Sequence, residues 1–279
     1  DNCGNQLDPV DLINPVSPRS VSRLKSDSNV NLMESLTGGY TNLVMRDELG
    51  PVQNPDFVLA MKYLLDRKQI NRVAFRGYGA IANDQPIAAS NRYFAADIPQ
   101  REFDPDKAKF HLKKSGMTGR ALPLVASEAA TGSQDIAQLL QLSGQQIGLK
   151  LDIKRVPADG YWSNHWMKHP LGFGAVNARP TADLMFSLFF QSTATMNESG
   201  WNNPRFDELL LAARGETDAA KRKQMYAEMQ MLVHEHCGVG IPQFSSSLDG
   251  HNAKLKGLRP HPLGGLMGYM FAEHVWLDA

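Results

Sequence analysis

The residues best suited to bind a ligand are concentrated between positions 161 and 183. Tyr161, Trp162, His165 and Trp166 place four aromatic side chains within six positions. Binding pockets use such rings because they bury a large apolar area at a small entropic cost and can carry a polar group at one end. We therefore predict that Tyr161, Trp162 and His165 contact a ligand. Trp162 and Trp166 also share one face of a short predicted helix, so core packing is the alternative interpretation of these two rings.

A second group of polar side chains, Asn177, Arg179 and Asp183, follows the apolar segment 171–176. Polar groups at the carboxyl end of a strand are well placed to face a ligand. Arg179 can form a forked pair of hydrogen bonds with a carboxylate, and Asp183 can either hold Arg179 or meet a cationic group. We predict that all three residues bind the ligand. A purely structural ion pair between Arg179 and Asp183 is the alternative.

The sequence predicts neither a metal site nor a catalytic centre. His165 and His169 have i, i+4 spacing, but no nearby cysteine or carboxylate completes a ligand set. His234 and His236 are two positions apart and point in different directions on a helix. The segment Gly77-Tyr-Gly79 lacks the third glycine of a dinucleotide-binding turn, and neither a Walker A sequence nor a Gly-x-Ser-x-Gly elbow is present. We therefore expect no metal, no cofactor and no enzymatic activity.

The composition is that of an ordinary soluble globular protein without a charge bias. Of the 279 residues, 42% are hydrophobic and 21% charged, and 29 basic residues balance 29 acidic ones. This balance creates no global field that would favour nucleic acid or an anionic membrane. No apolar run is long enough to span a bilayer. Residues 1–6 do not resemble a signal peptide, which predicts a cytosolic protein or a processed or truncated product. Cys3 and Cys237 form either a disulfide or two separate thiols.

Caps and apolar periodicity predict an α/β protein. Helices are expected where a capping residue precedes a proline or an apolar stripe, at 18–25, 54–77, 104–116, 133–148, 161–168, 182–190, 204–214 and 218–235. Strands are expected at 30–36, 40–46, 121–126, 149–154, 171–176 and 239–244. Gly38-Gly39 is predicted to be a turn between the first two strands, and Ser133 to cap its helix. Residues 121–154 predict a βαβ unit, and residues 77–103 an ordered loop.

Several short segments occur in a characteristic order along the chain. They are Asn54-Pro-Asp-Phe-Val-Leu-Ala-Met-Lys-Tyr-Leu-Leu-Asp-Arg67, Gly77-Tyr-Gly79, Asn83-Asp84-Gln-Pro86, Asp104-Pro-Asp-Lys-Ala-Lys109, Tyr161-Trp162, Arg179-Pro-Thr-Ala-Asp183, Asn202-Asn-Pro-Arg-Phe-Asp207-Glu-Leu, Arg222 with Tyr226, and Ile241-Pro242. This collinear order over residues 8–279 is specific. In this order of segments the chain resembles the extracellular solute-binding proteins of ABC importers that belong to the dipeptide/oligopeptide/nickel-type family.

The resemblance implies a lobe like those of type II periplasmic binding proteins, an α/β fold with a mixed sheet flanked by helices. Residues 1–45 would then be a remnant of the first lobe with the crossing strands. Residues 46–254 would be the C-terminal ligand-binding lobe, and residues 255–279 a return segment to the first lobe. Such receptors are much longer than this chain, so the export signal and most of an N-terminal lobe are expected to be missing.

The function implied by the resemblance is capture of a small peptide or peptide-like solute between two lobes. The receptor would deliver this solute to an inner-membrane ABC permease and would work in the periplasm of a Gram-negative cell. In peptide-binding relatives, an aromatic residue followed three positions later by Asp receives the peptide's α-amino group. The matching positions here are Val176 and Arg179, and a cation at Arg179 would favour a carboxylate or another anion.

Three rival interpretations remain open. The first is a receptor for another solute, such as an opine, a sugar or a metal chelate, and a metal chelate would give a role to His165 and His169. The second is a hydrolase on an α/β scaffold, which requires a nucleophile beside a base. The third is a structural or signalling module that keeps the fold without a ligand.

Overall fold

The computed structural model describes residues 10–46 and 54–278. The strands are β1 (Leu12–Ile13), β2 (Val30–Leu36), β3 (Tyr40–Met45), β4 (Ala80–Ile81), β5 (Ala121–Ala126), β6 (Lys150–Arg155), β7 (Leu171–Val176), β8 (Val239–Gly240), β9 (Gln243–Phe244), β10 (Ser246–Asn252), β11 (Leu255–Lys256) and β12 (Trp276–Leu277). The right-handed helices are α1 (Val21–Lys25), α2 (Pro55–Tyr63), α3 (Arg67–Ala74), α4 (Pro105–Lys114), α5 (Ser133–Ile147), α6 (Tyr161–Asn164), α7 (Ala182–Phe189), α8 (Pro204–Gly215) and α9 (Ala219–His236).

These elements fall into two compact units. The smaller unit takes the described parts of residues 1–37 and 246–279, and the larger unit is built from residues 38–245. In the smaller unit β10 pairs with β1 and β2, and β11 pairs with β12. In the larger unit β3 lies between β7 and β8, β4 pairs with β9, and β5 pairs with β6. The β5–β6 pair is parallel and the others are antiparallel, so the protein is of the mixed α/β class that the sequence predicts.

The predicted turn at Gly38-Gly39 was wrong, although both flanking strands were predicted correctly. β2 pairs with β10 in the smaller unit, whereas β3 pairs with β7 and β8 in the larger one. The two strands therefore form no hairpin, because the glycines lie where the chain passes from one unit to the other. The chain returns between residues 245 and 246.

Most of the larger unit's helices begin where the sequence predicts because their caps are local. The side chains of Asn54, Asp104, Asn203 and Asp218 accept hydrogen bonds from backbone N–H groups in the first turn of α2, α4, α8 and α9. A proline follows three of these caps at the first helical position, where its missing N–H is not needed. Gly148, with a φ of +85°, ends α5 as predicted.

Three details of the predicted helices were wrong. The single helix predicted over 54–77 is two helices, because Asp66 accepts from the N–H of Gln69 and starts α3 anew. Ser133 does not cap α5; its hydroxyl donates to the Ser127 carbonyl, and Gly132 occupies the cap position. The helix predicted over 161–168 ends at Asn164.

Two apolar cores fill the larger unit. One lies among α2, α3, α4, α5 and the β5–β6 pair, and it includes Phe57, Met61, Leu124 and Leu140. The other lies among α7, α8 and α9, and its largest members are aromatic: Tyr40, Phe186, Phe189, Phe190, Trp201, Phe206, Tyr226 and Phe244. Phe110 on α4 faces away from both cores and is 64% exposed. Within the described residues, no helix is both long enough and apolar enough to cross a bilayer.

Buried charged side chains hold the loop over 77–103 in place. Both Arg67 and Arg101 donate to Asp84 Oδ2, over 2.7 and 2.6 Å, and the N–H of Ile241 donates to Asp84 Oδ1 over 2.9 Å. Burial alone would raise the pKa of Asp84, but the neighbouring cations outweigh it and hold the pKa well below its usual range. The network ties the loop to α3 and to the segment that follows α9.

Side-chain amides bind the rest of this loop to its surroundings. The Gln230 amide on α9 donates to the Tyr93 carbonyl over 2.7 Å and accepts from the Ala95 N–H over 3.1 Å. The Asn83 side chain accepts from the N–H of Arg101 over 2.8 Å. Backbone groups that lack strand or helix partners are thus satisfied by side chains, which gives a segment without regular structure a fixed conformation.

A buried lysine closes the end of α9. Lys62 is fully buried, and its ammonium donates to the carbonyls of Val233 and His234 over 3.1 and 2.8 Å. A cation is favoured at the C-terminal end of a helix, where the last carbonyls lack partners. Burial nevertheless lowers the pKa of Lys62 to about 8.

Candidate functional site

Asn177 and Arg179 lie beside the start of β3. The antiparallel pairing of β3 with β7 sets Tyr40 opposite Val176, so the residues after β7 run alongside those before β3. A Cβ on Gly39 would lie 2.9 Å from the Val176 carbonyl oxygen, which is closer than side chains approach. A glycine is therefore required at this close approach. The predicted residues Asn177 and Arg179 follow the end of β7 and lie alongside Gly39 and the start of β3.

Arg179 is held beside the start of β3 without a carboxylate partner among the described residues. Its Nη1 donates to the carbonyls of Asn177 and Ala178, each over 3.2 Å. Its guanidinium carbon lies 5.3 Å from the centre of the Phe189 ring, which fixes the plane of the group. A guanidinium has five N–H donors, so Arg179 retains donors for an incoming anion. Asn177, on the same turn, is exposed.

Asp183 is paired with Arg214 rather than with Arg179. Asp183 Oδ2 accepts from Arg214 Nε over 2.8 Å, and its backbone carbonyl accepts from the Ser187 hydroxyl over 2.7 Å. Asp183 therefore does not hold Arg179, and its contact with a cationic group of a ligand stays a prediction. The structural ion pair between Arg179 and Asp183 does not form, because α7 carries Asp183 toward the end of α8.

Tyr161 is part of the protein interior. Its side chain is buried, and its hydroxyl donates to the Phe173 carbonyl on β7 over 2.7 Å. Burial raises the pKa of Tyr161 to about 12, so the hydroxyl stays protonated and keeps this bond. Tyr161 thus fixes α6 against the sheet, while Trp162 and, in part, His165 remain accessible.

Trp162 and His165 form an aromatic cluster around Tyr161. The Trp162 ring meets the Tyr161 and Trp166 rings edge-on at 5.0 and 5.9 Å, and 43% of Trp162 is exposed. His165 Nδ1 lies 3.2 Å from His169 Nε2, and the two rings are stacked. Burial, and then the proximity of His165, lower the pKa of His169 and favour its neutral form.

The sequence analysis missed Glu198, a buried carboxylate next to this cluster. Glu198 accepts from the Trp166 indole N–H and from the Asn42 amide, each over 2.7 Å, and its backbone carbonyl accepts from Arg46 over 2.8 Å. Burial raises the pKa of Glu198, although these hydrogen bonds oppose the rise. The pattern around Glu198 is that of a polar loop, and its side-chain partners lie 32 and 156 positions away, so no local signal indicates its burial.

The predicted site residues therefore form three groups. Tyr161, Trp162 and His165 make one cluster, Asn177 and Arg179 share one turn, and Asp183 joins Arg214. Both of the first two groups are attached to β7, one through Phe173 and the other directly after Val176. Among the described residues, no hydrogen bond, ion pair or ring contact connects Arg179 to the aromatic cluster.

Nothing in the described part of the chain gathers three or more His, Cys, Asp or Glu side chains in a metal-binding arrangement. His234 is buried and its Nδ1 lies 2.6 Å from the Asn83 carbonyl, while His236 is exposed. Cys237 is buried, and Cys3 lies outside the described residues, so the structure tests neither the disulfide nor the two separate thiols.

Solved structures of other proteins share this fold, including one from Helicobacter pylori and one from Campylobacter jejuni. Periplasmic binding protein DppA of Helicobacter pylori, solved with peptide STSA, matches 97% of this chain and 53% of its own, with a TM-score of 0.85 and 19% identity. NikZ of Campylobacter jejuni, solved with Ni(L-His), matches 96% of this chain and 57% of its own, with a TM-score of 0.84 and 17% identity. The expected type II periplasmic-binding-protein fold is thereby confirmed.

The sequence comparisons agree. The dipeptide-binding protein of Escherichia coli K12 is 24% identical over 262 residues, which are 89% of this chain and 48% of that protein. The chain spans about half the length of the curated relatives it matches. The model of the bacterial extracellular solute-binding proteins, family 5 Middle, matches residues 8–198, more than half of the chain. The chain therefore belongs to the bacterial extracellular solute-binding proteins of family 5.

Proposed function

We propose that this chain is the C-terminal part of the substrate-binding component of an ABC importer. It captures a peptide or peptide-like solute and delivers it to an inner-membrane permease. The observation that carries the proposal is Arg179, a guanidinium held by β7 at the edge of the sheet without a carboxylate partner among the described residues. In a solute-binding protein, such a group is suited to bind the carboxylate of a peptide.

The other site residues have distinct roles in this proposal. Asn177 adds an amide next to Arg179 and can bond the peptide backbone. Trp162 and His165 provide an aromatic wall for a side chain of the solute, and Tyr161 holds that wall on β7. Asp183, which is neutralised by Arg214, contributes least to the charge at the site.

We propose further that a lobe preceding this chain completes the receptor. The larger unit, residues 38–245, then acts as the C-terminal lobe, and the residues on either side of it belong to the first lobe and its crossing strands. Closure of two lobes excludes water from the bound solute and strengthens its polar contacts. The receptor works in the periplasm of a Gram-negative cell and binds its solute without transforming it.

A receptor for a metal chelate is the second candidate, and one observation favours it. His165 Nδ1 and His169 Nε2 lie 3.2 Å apart, and the neutral form of His169 is favoured, as a metal ligand requires. Native mass spectrometry of the purified receptor with and without a chelator distinguishes the two candidates. A bound mass that is lost when the chelator is added supports the metal chelate. A bound mass of a peptide that persists in the presence of the chelator supports the peptide.

Calorimetry tests the role of Arg179. With the receptor carrying both lobes, Arg179→Glu should weaken binding of the co-purified solute at least about tenfold, since each lost charge-assisted bond contributes roughly 1.5–3 kcal/mol. Arg155→Glu, on β6, makes the same charge change at an exposed position and should leave affinity unchanged. Unchanged affinity of Arg179→Glu would rule out direct contact with the solute. Tight peptide binding by the 279 residues alone would contradict the need for a second lobe.

A further inference from the structure

A separate pocket, termed the arginine pocket, lies within the larger unit and has a volume of about 370 Å³. Its walls come from four places in the chain: the loop over 77–103, the first turn of α7, the end of α8, and α9. The side chains that matter for its chemistry are Arg92, Tyr93, Asp183, Arg214, Arg222 and Tyr226. Neither Asn177 nor Arg179 lines it, so it is distinct from the edge of the sheet described above.

Cations outnumber anions in this pocket. Arg92, Arg214 and Arg222 bring three guanidinium groups from three segments, and Asp183 is the one carboxylate among the side chains that line it. Asp183 is already bonded to Arg214 over 2.8 Å. Arg92 and Arg222 are therefore left without an acidic partner in the pocket, and their charges raise the local concentration of anions.

The donors of these arginines exceed the acceptors around them. Arg222 Nη2 donates to the Glu216 carbonyl, but Arg222 Nε is buried and has no hydrogen-bond partner among the described residues. Buried N–H groups in folded proteins nearly always have an acceptor, so this one indicates a missing partner. The Arg92 guanidinium lies 4.9 Å from the centre of the Tyr93 ring, which fixes it on the pocket's rim.

The wall beneath the arginines is aromatic. The Tyr93 and Tyr226 rings lie 4.5 Å apart, and Phe186 stacks on Tyr226 from the protein side at 6.0 Å. Burial raises the pKa of Tyr226, so its hydroxyl remains a donor at neutral pH. The first turn of α7 is capped by the Thr181 hydroxyl, which accepts from the N–H of Leu184 over 3.1 Å. Apolar surface next to convergent donors suits a small organic acid as well as an inorganic oxyanion.

We propose that the arginine pocket binds a small molecule with a carboxylate or phosphate group, which Arg92 and Arg222 bind on the Tyr93–Tyr226 wall. A guanidinium can form two parallel hydrogen bonds with either a carboxylate or a phosphate. Three guanidiniums from separate segments line this one cavity, whereas an arginine on an open surface is usually solvated singly. The pocket shares Asp183 with the predicted ligand-binding residues, but neither Asn177 nor Arg179 lines it.

Nuclear magnetic resonance of the labelled 279-residue chain tests the proposal without any substitution. Inorganic phosphate, citrate and benzoate are titrated separately, with sodium chloride holding the ionic strength constant. We expect saturable shifts of the amides of residues 91–93, 182–184 and 222–226 with at least one probe. Saturable shifts with phosphate alone identify a ligand with a phosphate group. Saturable shifts with citrate or benzoate identify a ligand with a carboxylate group. Shifts that do not saturate, or that cluster elsewhere, overturn the proposal.

Variants then test which residues carry the affinity. Arg92→Gln combined with Arg222→Gln should weaken binding of the effective probe at least about tenfold, by the loss of two charged donors. Arg155→Gln removes a guanidinium next to a different surface pocket and should bind the probe as the parent does. Equal affinity of all the variants overturns the proposal. If the double variant does not fold, Arg92→Gln alone decides, since Arg92 is exposed and makes no hydrogen bond among the described residues.

Discussion

Trp166 donates its indole N–H to the buried carboxylate of Glu198 over 2.7 Å, and this bond joins the segment after α6 to the loop before α8. Glu198 also accepts from Asn42 on β3, so one carboxylate links the aromatic cluster to the central strand of the larger unit's three-stranded sheet. The carboxylate has little room, since a methyl group added at Gly174 would overlap it. The position of Trp166, and through it of Trp162, therefore depends on Glu198.

Trp166→Phe should destabilise the protein more than Trp162→Phe. The first change keeps an aromatic ring but removes a donor from a buried carboxylate, which costs about 1–3 kcal/mol. Trp162 is 43% exposed, and its indole N–H has no acceptor among the described residues, so its replacement should cost less than about 0.5 kcal/mol. Urea denaturation of the two variants measures the difference. Equal losses of stability would contradict the role assigned to Glu198.

Gly174→Ala should destabilise the protein by about 1–3 kcal/mol, because the new methyl group displaces the Glu198 side chain. Gly172→Ala, on the same strand, is the matched control, since its Cβ would lie 3.7 Å from the nearest atom, an ordinary contact. Combining Gly174→Ala with Glu198→Ala should cost less than the sum of the two single changes, because the steric conflict is gone. Thermal and urea unfolding of all four variants provide the measurement, and strict additivity would disprove the conflict.

Asp84→Asn should cost about 3–5 kcal/mol, because it leaves Arg67 and Arg101 buried without their shared anion. Glu102→Gln removes a carboxylate from an exposed pair with Lys68 and should change stability little. Both variants are compared by urea denaturation at neutral pH. A small effect at Asp84 would show that water enters the network and solvates the two arginines.

The stability of the protein should rise as the pH increases from 8 to 9.5. Lys62 has a pKa of about 8 in the folded protein and 10.5 when unfolded, so within this window the unfolded chain binds one proton more. Each pH unit then adds at most about 1.4 kcal/mol to the free energy of unfolding. Lys62→Met should remove this rise, and Lys68→Met, at an exposed position, should keep it. If the free energy of unfolding of the parent and of Lys62→Met changed with pH in the same way, the lowered pKa of Lys62 would be refuted.

Local signals account for the part of the fold that the sequence predicts. The caps at Asn54, Asp104 and Asp218 lie within three positions of the N–H groups that they bind, so a short window contains the whole interaction. The alternation over 149–154 likewise predicts β6 because the pattern of a strand is local. Asp66 was missed because apolar residues continue on both sides of it, and only its capping bond divides the helix.

The side-chain partners at the candidate site could not be predicted because they lie far apart in the sequence. Asp183 bonds Arg214, 31 positions away, and not Arg179, because α7 and α8 pack together. Glu198 depends on contacts with two other segments, and nothing in its own neighbourhood marks it. The assignment of Tyr161, Trp162, His165, Asn177, Arg179 and Asp183 to a ligand stays a prediction, which binding measurements on Arg179 variants address first.

The side-chain bonds over 77–103 have a consequence for proteolysis. Protease cleavage requires local unfolding of the chain, and the hydrogen bonds made by Gln230, Asn83 and Asp84 oppose it in this segment while α9 stays in place. Cleavage of peptide bonds here should therefore require global unfolding, although the stretch contains only the two-residue strand β4. A limited digest should leave this region intact as part of the protease-resistant fragment.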